Sequence, residues 1–150
     1  MLERLLEQQV RYNKVHKELN ELYHNVALQF GLSDASSIIL YTLYISEKPC
    51  SQKELCELWS LTKTTVNSAL RKLIKSEYVA LSPDPTNYKV KLARLTKSGE
   101  ALAEKSARPL FEAELKAFER LSEEEQEQLA AISKKHVKLL REEIGNAFDN

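Results

Sequence analysis

Neither glycine nor proline occurs between Met1 and Phe30. Within that stretch Leu2, Leu5, Leu6, Tyr12, Val15, Leu19, Leu22 and Val26 recur mostly at steps of three and four, which puts them on one face of a single long helix. Gly31 supplies a stop, since glycine enters the left-handed conformation that ends many helices. Breakers are scarce throughout: 150 residues hold three Gly and four Pro, against 43 % apolar and 29 % charged residues. This composition favours one mainly α domain, long enough to bury a core and small enough to gain from a partner subunit. No segment approaches the roughly 18 consecutive apolar residues of a membrane span. The N-terminus shows no basic region leading into an apolar run, so no secretory signal is expected, and the expected location is cytoplasmic. Cys50 and Cys56 are too few for a disulfide scaffold and lack zinc-site spacing; reduced thiols are expected.

The net charge is zero, but it is unevenly spread. Residues 1–59 carry six bases and eight acids, a net of −2, and residues 100–150 carry eight and twelve, a net of −4. Residues 60–99 carry eight bases (Lys63, Arg71, Lys72, Lys75, Lys89, Lys91, Arg94, Lys97) and two acids (Glu77, Asp84), a net of +6. A basic centre between acidic ends is the electrostatic pattern of a nucleic-acid surface, although a solvated face can also produce it.

Beyond Gly31 the chain reads as alternating caps and apolar faces. Ser33 caps a helix from about Asp34 to Ser46, whose Ile38, Ile39, Leu40, Leu43 and Tyr44 mark it as a core helix; Pro49 interrupts. Ser51 and Glu54 form a capping box that opens SQKELCELW, with Leu55, Cys56 and Trp59 turned inward. After the break at Ser60-Leu61, Thr62 caps a fourth helix from about Lys63 to Glu77. It sets Val66, Ala69, Leu70 and Leu73 on one side and Thr64, Asn67, Ser68, Arg71 and Lys75 on the other. Tyr78–Leu81 reads as a short strand, SPDPTN as a turn, and Tyr88–Leu95 as a strand alternating apolar and basic residues; together they form a hairpin. Thr96 reopens a helix that Gly99 and Pro109 weaken or kink. Ser122 and Glu125 form a second capping box, and a last helix from about Glu123 to Ile144 carries Leu129, Ile132, His136, Leu140 and Ile144 on one face before Gly145 closes it.

Two short helices separated by about two residues are a helix-turn-helix, whose second helix can enter a major groove. The fourth helix offers compact donors there, Thr64, Thr65, Asn67 and Ser68, with Arg71 beyond; arginine can pair bidentately with guanine and asparagine with adenine. The hairpin that follows makes the arrangement a winged helix. Its tip can reach a minor groove or phosphates, with Lys89, Lys91 and Arg94 supplying charge.

The run from SQKEL through LTKTTV, the DP pair at the hairpin and LTKSG after it resembles the MarR (multiple antibiotic resistance regulator) family from end to end. The resemblance implies a winged helix-turn-helix lobe at 33–95 within a single domain. Helices at 1–32 and 96–150 would pair two copies. It further implies a homodimeric transcriptional regulator, more often a repressor, on a pseudo-palindromic operator in double-stranded DNA. Carried over position by position, Lys63, Thr64, Thr65, Asn67, Ser68 and Arg71 would contact DNA from the recognition helix, Ser51 and Gln52 would meet phosphates, and Tyr88 and Lys89 would act from the wing. Apolar faces on the first and last helices, too long for a small winged-helix core to cover, favour pairing on physical grounds; two-fold symmetry would set two recognition helices about 34 Å apart.

This chain departs from the family pattern at two places, and both remove charge. Asn87, Tyr88 and Lys89 stand where the wing usually reads Asp-Arg-Arg, and Ser68 stands where the recognition helix often has arginine. The family's oxidant-sensing cysteine lies in the first helix, where this chain has none; Cys56 falls at a small buried position, and a redox role for Cys50 stays open. His16, His24 and His136 are scattered, so no metal is expected, nor any cofactor or catalytic constellation. The family also implies a small-molecule effector between the dimer helices and the lobe. Tyr12, His16, Tyr41 and Tyr44 can line such a cleft, or serve simply as core. The neutral total charge and depleted wing keep open a second reading, a winged-helix protein-interaction module with weak or no DNA binding.

Overall fold

The structure, a computed structural model, describes residues 1–148 as six helices and three strands. In chain order these are α1 (Leu2–Gln29), α2 (Asp34–Ser46), β1 (Cys50–Ser51), α3 (Gln52–Trp59), α4 (Lys63–Lys75), β2 (Val79–Asp84), β3 (Asn87–Leu95), α5 (Lys97–Glu119) and α6 (Glu123–Phe148). The chain packs as two compact units, one of residues 1–110 and one from Phe111 onward.

Local chemistry fixes most boundaries in the first unit. α1 ends as Gly31 turns left-handed at φ 67°, while Leu32 N–H donates to Ala27 O and Gly31 N–H to Leu28 O. That pair of bonds is a Schellman motif and satisfies carbonyls the helix end would leave open. The Ser33, Ser51 and Thr62 hydroxyls cap α2, α3 and α4 by accepting from the N–H groups of Ser36, Glu54 and Thr65. At α3 the box is reciprocal, with Ser51 N–H donating to Glu54 Oε2 at 2.6 Å. Hydrogen bonding to the carboxyl from Ser51, first from its backbone N–H and then from its side chain, holds Glu54 below its ordinary pKa. A depressed carboxylate stabilises the fold above its unfolded pKa, and the stabilisation is lost as pH falls through the folded value. Ser51→Ala is therefore expected to cost about 1 kcal/mol near neutrality. Denaturation midpoints of wild type and Glu54→Gln should converge as pH drops below 4.5; a gap that persists in acid would contradict the assignment.

Three helix ends lack a glycine and still use the left-handed region, at Glu47, Ser60 and Glu77, with φ 52°, 51° and 60°. This is why α4 stops at Lys75, short of the expected Glu77: Tyr78 N–H donates to Leu73 O and Glu77 N–H to Ile74 O, a Schellman ending on a non-glycine residue. The conformation costs roughly 1 kcal/mol for an L-residue. The hydroxyls of Thr96 and Ser98 hold it by donating to Glu77 O.

The sheet has the order β1-β3-β2, all antiparallel. β1, a strand not foreseen, pairs Cys50 with Ala93 and Ser51 with Leu92. The wing is longer than expected: β2 continues through Ser82-Pro83-Asp84, with a bulge at Pro83/Asp84, and leaves Pro85-Thr86 as the turn. One core joins α2 (Ile39, Leu40, Leu43), α3 (Leu55), α4 (Val66, Ala69, Leu70, Leu73), the sheet (Cys50, Val79, Ala93) and α5 (Ala103, Ala107). The buried core therefore extends into the first turns of α5.

Gly99 corrects another expectation. It is buried, and an added Cβ would lie 1.9 Å from Tyr78 O, so glycine here permits a close approach of α5 to the start of β2 and does not weaken the helix. α5 continues through Pro109, whose missing N–H forfeits one helical bond. In the second unit, Ser122 N–H donates to Glu125 Oε2 and Glu125 N–H to Ser122 Oγ, the expected capping box. α6 runs to Phe148 through Gly145; glycine ends a helix when it turns left-handed, and among the described glycines only Gly31 does so.

Candidate nucleic-acid interface

α4 is amphipathic in the manner its sequence requires. Val66, Ala69, Leu70 and Leu73 are buried, while Lys63, Thr64, Thr65, Asn67, Ser68 and Arg71 are all exposed. Its start is fixed by Thr62 and by Gln52, whose Nε2 donates to Lys63 O at 3.1 Å and so ties the first turn of α3 to that of α4. Ser51, expected at a phosphate, is 8 % exposed and already engaged in the capping box. The local role of both residues is to orient the helix pair. Trp59, expected in the core, is 42 % exposed; its Nε1 donates to Thr42 Oγ1 at 2.7 Å and its ring meets Tyr41 edge-on.

Between α3, α4 and the wing lies a cleft of about 890 Å³. Of the expected site residues it brings together Ser51, Gln52, Lys63, Asn67, Arg71 and Lys89; Thr64, Thr65, Ser68 and Tyr88 lie outside it. Its lining includes five cations, Lys53, Lys63, Arg71, Lys89 and Lys91, and one carboxylate, Glu57, which lies 3.8 Å from Lys53. Among the described residues Lys63, Arg71, Lys89 and Lys91 form no ion pair, and all four are exposed. Leu70, Ile74 and Leu81 form apolar patches in the same wall.

Register explains which wing residues reach the cleft. In the regular stretch of β3 Lys91 shares the face of buried Ala93, while Leu92 and Arg94 take the other; Lys89 and Val90, beyond the register shift at Pro83/Asp84, also line the cleft. The strand runs past the helices, and the face that is core at Ala93 becomes an open cationic wall at Lys91. Lys91 is thus a cleft residue that belongs with the candidate site. Arg94, expected to share in the wing's charge, faces away from the cleft. The tip is braced by Asp84, whose Oδ1 accepts from Thr86 N–H at 2.8 Å and Thr86 Oγ1 at 2.7 Å; these bonds lower its pKa, so it remains an anion.

The aromatic residues considered for an effector each have a protein partner. Tyr12 meets His16 edge-on, Tyr41 meets Trp59, and Tyr44 donates to Glu104 Oε1 at 2.9 Å. Arg108 and then Tyr44 hold the Glu104 carboxyl below its ordinary pKa.

A capped helix pair, a second helix with an exposed polar face and a hairpin carrying unpaired cations beside it define a winged helix-turn-helix protein. Residues 30–87 match the model of the MarR family. The chain is similar to NMB1585, a MarR family regulator from Neisseria meningitidis, at 21 % identity and TM-score 0.77, covering 93 % of this chain and 98 % of that one. It is also similar to Staphylococcus aureus MepR in its DNA-binding conformation, at 24 % identity and TM-score 0.73 over 89 % and 98 % of the two chains. With MepR in complex with DNA the identity is 25 % and the TM-score 0.72, over 86 % of this chain and 93 % of that one. A comparison with curated protein sequences gives no match. Among the described residues no single helix is long and apolar enough to cross a membrane.

Proposed function

We propose that this protein is a sequence-specific, DNA-binding transcription regulator of the cytoplasm. It acts as a homodimer, most simply as a repressor, on a pseudo-palindromic operator. The observation that carries this reading is the clustering of Gln52, Lys63, Asn67, Arg71, Lys89 and Lys91 around one cleft beside an exposed recognition face. The solved DNA complex of MepR, a chain of similar fold, supports it. In this reading Asn67 and Arg71 contact base edges, Thr64, Thr65 and Ser68 add donors along the helix, and Lys63, Lys89 and Lys91 neutralise phosphates. Homodimerisation is supported by the many apolar side chains α1 and α6 expose, among them Leu5, Val15 and Leu22 on α1 and Ile132 and Ile144 on α6. A small molecule or other signal would act by favouring a dimer whose recognition helices are wrongly spaced for the operator. No step in this account is catalytic.

Arg71→Ala tests the assignment. Loss of a bidentate base contact should cost about 1–3 kcal/mol of operator affinity and relax preference at one base position. If Arg71→Ala leaves affinity and sequence preference unchanged, the exposed face of α4 serves a protein partner instead.

A further inference from the structure

Resting on that DNA-binding reading, the root of the hairpin holds a clamp that acts on the cleft from outside it. Residues 96–99, at the entry to α5, close on Glu77 and Tyr78 in the link between α4 and β2. Glu77 O accepts from Ser98 Oγ at 2.7 Å and from Thr96 Oγ1, and Tyr78 O accepts from Thr96 N–H at 3.1 Å. Gly99 lies so close to Tyr78 O that no Cβ fits between them. Thr96 Oγ1 also accepts from Gly99 N–H at 3.0 Å, which fixes the entry to α5. On the other side, Glu77 N–H and Tyr78 N–H donate to Ile74 O and Leu73 O, both at 2.9 Å. The link is thus bonded to α4 through its N–H groups and to the entry of α5 through its carbonyls. Glu77 needs this grip, because it sits at φ 60° without being glycine, and such a conformation persists only where its surroundings hold it. What the clamp fixes is the direction in which the hairpin leaves α4. Val79 pairs with Leu95 next to it, and among the described residues the hairpin's only other strand neighbour is β1, at Leu92 and Ala93. Lys91 lies two residues beyond Ala93 and Lys89 four, so a tilt at the root displaces both lysines, while Asn67 and Arg71, carried on α4 itself, stay in place.

We propose that Thr96 and Ser98 are positioning residues for DNA binding: by holding Glu77 O, their hydroxyls aim Lys89 and Lys91 at the phosphates beside the recognition helix. The test reads the salt dependence of binding to a duplex selected from a randomised pool, using full-length protein at a temperature where circular dichroism shows each variant folded. Lys89→Ala/Lys91→Ala is the benchmark for a lost wing. Two phosphate contacts fewer should flatten the log–log slope by about 1.8 per protomer. Thr96→Val/Ser98→Ala removes no charge, yet it should flatten the slope by at least about half as much. Preference for the selected duplex over a scrambled one, set by base contacts from α4, should stay within about twofold of wild type. Ser98→Ala alone keeps the Thr96 cap; it should show a smaller loss of the same kind, and it decides the matter if the double variant does not fold. In a Glu77→Gly background, where glycine keeps the left-handed turn without help, the same two substitutions should flatten the slope by less than about half of what they do in wild type. A wild-type slope in the clamp variants, or a loss of slope that Glu77→Gly does not reduce, would overturn the proposal and leave the hydroxyls a purely structural role. Failure of the underlying reading shows separately, in the benchmark: if Lys89→Ala/Lys91→Ala keeps the wild-type slope, the wing does not meet phosphates, and the role of the clamp falls with it.

Discussion

Replacing Leu55 with alanine is expected to lower the free energy of unfolding by about 2–5 kcal/mol. Leu55 is the only fully buried side chain that α3 contributes to the core, at 0 % exposure, and it is surrounded by side chains from α2, α4 and the sheet. An eight-residue helix is not stable by itself, so α3 depends on this anchor to keep its place beside α4. For a domain stable by about 5–15 kcal/mol the loss is a large fraction of the total. Urea unfolding of the purified variant measures it. A change below about 1 kcal/mol would mean that the pocket collapses around the smaller side chain or that α3 is held by other means.

Gly99→Ala should also destabilise, although the usual rule for a helical glycine runs the other way. Alanine in place of glycine within a helix ordinarily gains about 1 kcal/mol. Here the new methyl would lie 1.9 Å from Tyr78 O, which is backbone and cannot swing aside. The same carbonyl accepts from Thr96 N–H at 3.1 Å, so relieving the clash would break the bond that starts α5. Overpacking of this kind costs about 1–3 kcal/mol or more and outweighs the propensity gain. The same unfolding experiment decides the sign; a variant as stable as wild type would show that α5 can shift away from β2 freely.

Much of this fold was legible because side-chain chemistry at helix ends is local. Ser33, the Ser51/Glu54 pair, Thr62 and the Ser122/Glu125 pair each announce a helix start, and each caps as expected. The two faces of α4 follow from periodicity alone. What escaped depended on partners distant in sequence. β1 is two residues long and exists only because β3 pairs with it. Gly99 looks like a helix breaker until Tyr78 is placed above it. Glu77 ends α4 in a conformation that its residue type does not advertise and that Thr96 and Ser98 hold from beyond the hairpin. At the site, Lys91 and Arg94 look equivalent in sequence; one position of register parity puts Lys91 in the cleft and Arg94 outside it.

We propose that the cleft between α3, α4 and the wing is a DNA-binding surface. Fluorescence-anisotropy titration of the protein onto the duplex upstream of its own gene and onto a scrambled duplex, repeated over a range of salt concentrations, tests it most directly. Tight, sequence-preferring binding with a steep log–log salt dependence is expected, each neutralised phosphate contributing about −0.9 to the slope. Binding that is weak, indifferent to sequence and shallow in salt on both duplexes, and on duplexes selected from a randomised pool, would contradict it.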